Sequence, residues 1–196
     1  MISERSKKML THYVGSVARG YDARRSSQEK WKREQEILSG IIAALPAGST
    51  ALDIPCGTGR LFRFFAERGV TVTALDISDD MIREAKAKHK SSGGEITIGH
   101  GDIFKIDLPD MSVDTAFAIR IMNRIGGADV PRALGELQRV AKSQIVFNLR
   151  VDSGNSRYRH PVAMSVVHGS LEPGWQITAD QEIHEPDFRM ITLSRD

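Results

Sequence analysis

The ten residues Ala51-Leu52-Asp53-Ile54-Pro55-Cys56-Gly57-Thr58-Gly59-Arg60 constrain the fold more than any other stretch of this chain. They read as a short buried strand, a tight turn holding two glycines, and the first turn of a helix. That order gathers free backbone N–H groups and the positive end of a helix at one point. Glycine lets such a turn take positive φ and lie close to a ligand, and a nucleotide-like ligand is the first expectation. A lone glycine-rich turn is a common feature, so its specificity has to come from its surroundings.

Those surroundings alternate. After the strand at Thr50–Ile54 comes a helix at Arg60–Glu67 closed by Gly69, then a β-branched strand at Val70–Leu75. Asp76-Ile77-Ser78 opens a helix to Lys90, with Ser78 as its cap and Asp79 and Asp80 at its positive end. Strands follow at Glu95–Gly99 and Ser112–Ile119, a helix at Val130–Val140, and a fifth strand at Gln144–Leu149. Strands alternating with helices of this length predict a parallel sheet covered on both faces. The pattern then changes: Pro161–Val167 reads as a short helix, and Trp175–His184 and Phe188–Arg195 as an antiparallel hairpin. Ahead of the sheet, Ser3–Val17 and Ser27–Leu45 carry helical apolar spacing, the second with Trp31, Leu38, Ile42 and Leu45 on its stripe.

At 196 residues one domain is expected, with a helical segment at 1–46 and the alternating core at 49–196. A single cysteine excludes an internal disulfide framework and suits a reducing cytoplasm, and no apolar run reaches membrane-spanning length. Residues 1–36 carry a net charge of +4 and the remainder −2, so a basic segment precedes a nearly neutral core. A solvated helix face explains that segment more simply than a nucleic-acid surface. The six histidines lack ligand spacing, and no metal is expected.

Taken together, Leu52–Gly59, the acidic strand end Ala74-Leu75-Asp76-Ile77-Ser78, Gly101-Asp102-Ile103, Asp114–Ala118 and Ala133–Val140 resemble the successive motifs of class I S-adenosylmethionine-dependent methyltransferases. The resemblance covers most of the chain in family order. It implies an α/β three-layer sandwich with a seven-stranded, mostly parallel sheet, a C-terminal antiparallel hairpin and preceding N-terminal helices that fold over the cofactor as a lid. One departure stands out: Pro55 replaces the glycine more usual at the start of the turn. Proline lacks an N–H and fixes φ near −65°, so Gly57 and Gly59 must shape the turn.

An acid at the end of the second strand accepts hydrogen bonds from a ribose diol, which assigns Asp76 to the cofactor; the alternative is a helix cap. The resemblance gives Asp53 to the turn and the methionine amino group, and Asp102 with Ile103 to the adenine. Ile77 and Met81 supply apolar walls, and Pro55, Cys56, Gly57, Gly59, Ile119 and Tyr21 complete the cofactor set. Cys56 has no histidine partner by sequence and reads as a small turn residue. The expected cofactor is S-adenosyl-L-methionine, since the first of three dinucleotide-type glycines is missing.

Much of methyl transfer is positioning an acceptor lone pair. Arg120, directly after the fourth strand, is the leading acceptor-side candidate through charge pairing to a carboxylate or phosphate, with Tyr21 and His160 as further catalytic candidates. Arg24, Trp31, Asn123, Arg124 and Arg157 are the substrate-side candidates. A small-molecule acceptor is expected. RNA methylation and a non-catalytic, cofactor-binding partner protein are the alternatives.

Overall fold

The computed structural model describes residues 28–125, 127–152 and 161–196. Its elements are α1 Glu29–Ala44, β1 Thr50–Asp53, α2 Phe62–Arg68, β2 Thr71–Asp76, α3 Asp79–Ser92, β3 Ile96–His100, β4 Val113–Ala118, α4 Val130–Val140, β5 Ala141–Arg150, α5 Met164–His168, β6 Trp175–Glu182 and β7 Phe188–Arg195. The seven strands lie in the order β3-β2-β1-β4-β5-β7-β6. The first five pair in parallel, while β7 runs antiparallel between β5 and β6. The expected fold class is borne out. The expected helix at Ser3–Val17 and the Ser27 cap lie outside the described residues.

Strand periodicity builds two cores. Leu52, Ala116, Ile145, Phe147, Ile191 and Leu193 point to the face covered by α4, whose Val130, Ala133, Leu134, Leu137 and Val140 repeat at helical spacing. Ala51, Val72, Ala74, Phe117 and Val146 point to the opposite face, where α1 supplies Ile37, Leu38 and Ile42 and α2 supplies Phe62 and Phe65. The described part of the expected N-terminal segment, α1, therefore shares a core with the sheet. Phe65 meets Phe117 edge-on at 5.2 Å between ring centroids, a favoured aromatic geometry.

Local chemistry sets the boundaries. Ser78 Oγ accepts from the Met81 N–H and starts α3, while Gly69 at φ +72 ends α2. Several boundaries move by a residue or more, and three of the shifts have a clear local cause. α2 begins at Phe62, because Gly57–Leu61 are used in the turn. β5 begins at Ala141, three residues early, because Lys142 and Ser143 sit in a bulge where the register shifts against β4. Their polar, exposed side chains, which bond Asp114, hide the strand in the sequence. α5 begins at Met164, because Val162 is still extended and donates to the Arg150 carbonyl.

Adjacent β1 leads to β2 on one side and β4 on the other, so their carboxyl ends form the crevice where doubly wound sheets bind ligands. Phe117 is fully buried behind it. Phe117→Ala is expected to lower the unfolding free energy by about 3–5 kcal/mol in urea titration. Met111→Ala, at an exposed position, serves as control and should stay within about 0.5 kcal/mol.

Candidate functional site

A cavity opens at that crevice. Ile54, Pro55, Cys56, Gly57 and Thr58 form its floor from the β1 turn, Asp76, Ile77, Ser78 and Met81 one side, Gly101 and Ile103 the far end, and Ile119, Arg120, Ile121 and Arg124 the opposite wall. The turn takes the form the sequence requires. The Ile54–Pro55 peptide is cis, and positive φ falls at Gly57 (+55°) and Gly59 (+73°). A Cβ on Gly59 would meet the Phe62 ring at 2.4 Å, so that residue is held to glycine by space as well as by φ.

Asp76 ties two of these walls together. Its Oδ2 accepts the Gly57 N–H at 2.9 Å and its Oδ1 the Ser78 N–H at 2.9 Å. Burial pushes its carboxyl upward, against the pull of those N–H groups. Asp53, one residue before the cavity floor, is 2% exposed, and its Oδ2 has no hydrogen-bond partner among the described residues. Burial raises its pKa to about 7, with the Asp76 charge adding to the shift and Arg60 opposing it. Burial, then the charges of Asp53 and Asp76, keep the Cys56 thiol protonated, which argues against a nucleophile.

The adenine-side pair divides: Ile103 lines the cavity, while Asp102 accepts the Phe104 N–H in a local turn and is not among the lining residues. The acceptor-side candidates divide more sharply. Arg120 lines the cavity, but its guanidinium is engaged: Nε lies 2.8 and 3.1 Å from the two carboxylate oxygens of Glu34. Trp31 is turned away from a substrate role, buried against the Arg60 and Arg120 guanidinium groups at 4.6 and 5.3 Å. Asn123 closes on the backbone of Arg150 through both its amide donor and its carbonyl. Arg124 lines the cavity and donates to the Arg120 carbonyl, and burial lowers its pKa. Tyr21, Arg24, Arg157 and His160 lie outside the described residues.

Sequence reasoning missed Glu34, Arg60 and Asn148. Arg60 Nη1 donates to Glu34 Oε2 at 2.6 Å, the Asn148 amide donates to Glu34 Oε1, and Asn148 Oδ1 accepts the Arg120 N–H at 2.7 Å. Glu34 is fully buried. Burial opposes its charge, yet Arg60 and Arg120 hold its carboxyl below the usual range. The signal was present: Glu34 falls three residues after Trp31 and four before Leu38, on the buried stripe of α1, and a carboxylate there demands a partner.

A family model described as a methyltransferase domain matches residues 51–144. Malonyl-[acyl-carrier protein] O-methyltransferase of Serratia marcescens is 32% identical over 137 residues, covering 70% of this chain and 50% of that protein. The S-adenosyl-L-methionine-dependent Diels-Alderase iccD of Talaromyces variabilis is 31% identical over 115 residues, 57% of this chain and 38% of its own. The chain thus spans about half the length of the Serratia relative. Magnesium protoporphyrin IX methyltransferase from Synechocystis PCC 6803, solved with bound SAH, superposes with a TM-score of 0.77 at 17% identity, covering 97% of this chain and all of the other; that likeness concerns the fold.

The Asp53 carboxyl, raised from 3.8 to about 7, makes a testable contribution to stability. A carboxyl that is harder to ionise folded than unfolded favours the native state below the unfolded value, and that benefit is lost as pH rises toward the folded one. Relative to Asp53→Asn, the wild-type protein without ligand should therefore lose stability between about pH 4 and pH 7 and level off above. Urea unfolding of both proteins across that range measures it.

Proposed function

The chain belongs to the class I S-adenosylmethionine-dependent methyltransferase family, and from that premise we propose that it transfers a methyl group from S-adenosyl-L-methionine to a small-molecule acceptor. One observation carries the reading: the glycine turn, the acid ending β2 and the Gly101-Asp102-Ile103 segment converge on a cavity at the sheet's switch point. The donor set fits this cofactor. Asp53 Oδ2 is a buried acceptor without a hydrogen-bond partner among the described residues, suited to an ammonium group directly or through water. Each Asp76 oxygen holds one backbone N–H and keeps further lone-pair capacity for ribose hydroxyls. Ile77, Met81 and Ile103 are the apolar flanks for a purine ring, with Asp102 assigned to its amine.

When bound, the cofactor supplies an activated methyl on a sulfonium, so the protein's main task is orientation. Ile119, Arg120, Ile121 and Arg124 form the acceptor wall, and the Arg124 guanidinium favours an acceptor bearing an acidic group. A carboxylate acceptor accords with the name of the Serratia relative. Tyr21, Arg24, Arg157 and His160 remain assigned to cofactor closure, acceptor binding and proton transfer, and residues 1–46 to a lid over the 49–196 core. The lone cysteine accords with the cytoplasm, and among the described residues no helix is long and apolar enough to cross a membrane. A second reading, cofactor binding without methyl transfer, is favoured by the name of the Talaromyces relative.

Calorimetric titration with S-adenosylmethionine and with NAD tests the cofactor. S-adenosylmethionine should bind and NAD should not, and Asp76→Ala should weaken binding about 10-fold or more through lost charge-assisted hydrogen bonds. Equal affinity for both molecules, or no loss in the variant, refutes the assignment. S-adenosylhomocysteine release is then followed with small carboxylic acids, amines and total RNA. Release with small acids supports the reading, RNA-dependent release replaces the acceptor class, and tight binding without release with any of them favours the second reading.

A further inference from the structure

Glu34 is not among the cavity-lining residues and belongs to neither the glycine turn nor the acceptor wall, yet cavity-lining side chains from both meet on it. Arg60 reaches it from the residue after Gly59, and Arg120 from two residues past the end of β4. The Asn148 side chain closes the ring, holding Glu34 with its amide and the Arg120 N–H with its carbonyl. Trp31, one turn earlier on α1, packs on both guanidinium groups. Arg120 stands at φ +62, a backbone state a non-glycine residue keeps only where its surroundings over-determine it. Side-chain exposure is 0% at Glu34, 11% at Arg60 and 13% at Arg120, so solvent offers the carboxylate no alternative partners.

We infer that Glu34 is a positioning residue for methyl transfer, fixing the glycine turn against the acceptor wall through Arg60 and Arg120. The inference rests on the methyl-transfer reading of the cavity. A misplacement of about 1 Å costs on the order of 100-fold in an orientation-limited reaction, so the loss falls on turnover rather than on cofactor retention.

Three variants separate position from stability. Glu34→Gln keeps the size and removes the charge, Glu34→Asp keeps the charge one methylene back, and Glu34→Gln with Arg60→Gln restores the cluster's net charge without the bridge. All are made in Trp175→Phe, which leaves Trp31 as the one tryptophan. Glu34→Gln should bind S-adenosylhomocysteine within about threefold of its parent while turning over the acceptor found above about 100-fold more slowly. Glu34→Asp should regain at least about tenfold of that loss, and the double variant should melt like its parent yet stay slow. Turnover within threefold in Glu34→Gln, or losses that follow melting temperature in all three variants, overturns the inference. Should Glu34→Gln not fold, the other two carry the comparison. If the parent does not bind S-adenosylhomocysteine, the reading of the cavity fails by itself. In that case, or if the parent turns over no acceptor, Trp31 emission decides: a shift in Glu34→Gln absent from Glu34→Asp supports a stack held by Glu34, and identical spectra overturn it.

Discussion

A fully buried carboxylate has to be answered by cations, and in this molecule two arginines from different elements supply the answer. Glu34 brings α1, Arg60 brings the glycine turn, and Arg120 brings the end of β4, with Asn148 joining β5. Removing one member of such a cluster costs about 3–5 kcal/mol because the other charges stay buried. The same ions are stacked with aromatic rings: Arg60 and Arg120 on Trp31, then Arg120 and Arg150 on Phe188. Arg150 in turn pairs with Glu185 and Asp187 in the β6–β7 connection. An alternating file of guanidinium groups and rings thus spans the carboxyl edge of the sheet from α1 to β7.

A second acid works at shorter range. Asp76 holds the first glycine of one βα turn and the start of the next helix, so the two segments flanking the crevice cannot drift apart independently. Its neighbour Asp53 carries a different burden, a carboxylate oxygen in the interior that no hydrogen bond from the described residues reaches. Keeping one acid satisfied by backbone and leaving the other waiting is how a small cavity sorts hydroxyl groups from ammonium groups.

The fold was legible because its signals are periodic and local. Alternating burial in β2, the near-continuous burial of β4, the stripe of α4, and the Ser78 cap are all written within a dozen residues. The glycine turn was legible for a related reason: Gly57 and Gly59 sit at chain positions where backbone geometry dictates the residue type, and Asp76 where a carboxylate meets the turn's N–H. The acceptor side was not. Arg120 read as a free cation because its partner is 86 residues away, and Trp31 read as a substrate-side ring because the guanidinium groups covering it belong to other elements. Long-range charge pairing leaves only a negative trace in sequence, a Glu or Asn where an apolar residue belongs, as at Glu34 and Asn148.

The placing of β7 has a consequence for how the sheet is assembled. Among the described residues β6 is paired with β7 and with no other strand, although it precedes β7 in the chain. Until Phe188–Arg195 has been synthesised, β6 has nothing to align with, and the β5 edge presents unpaired backbone groups flanked by Ile145, Val146, Phe147 and Leu149. An emerging chain passes through a stage in which five strands are complete and the sixth is homeless, with a hydrophobic edge open to other nascent chains. β7 closes that gap by entering the sheet between two segments already made.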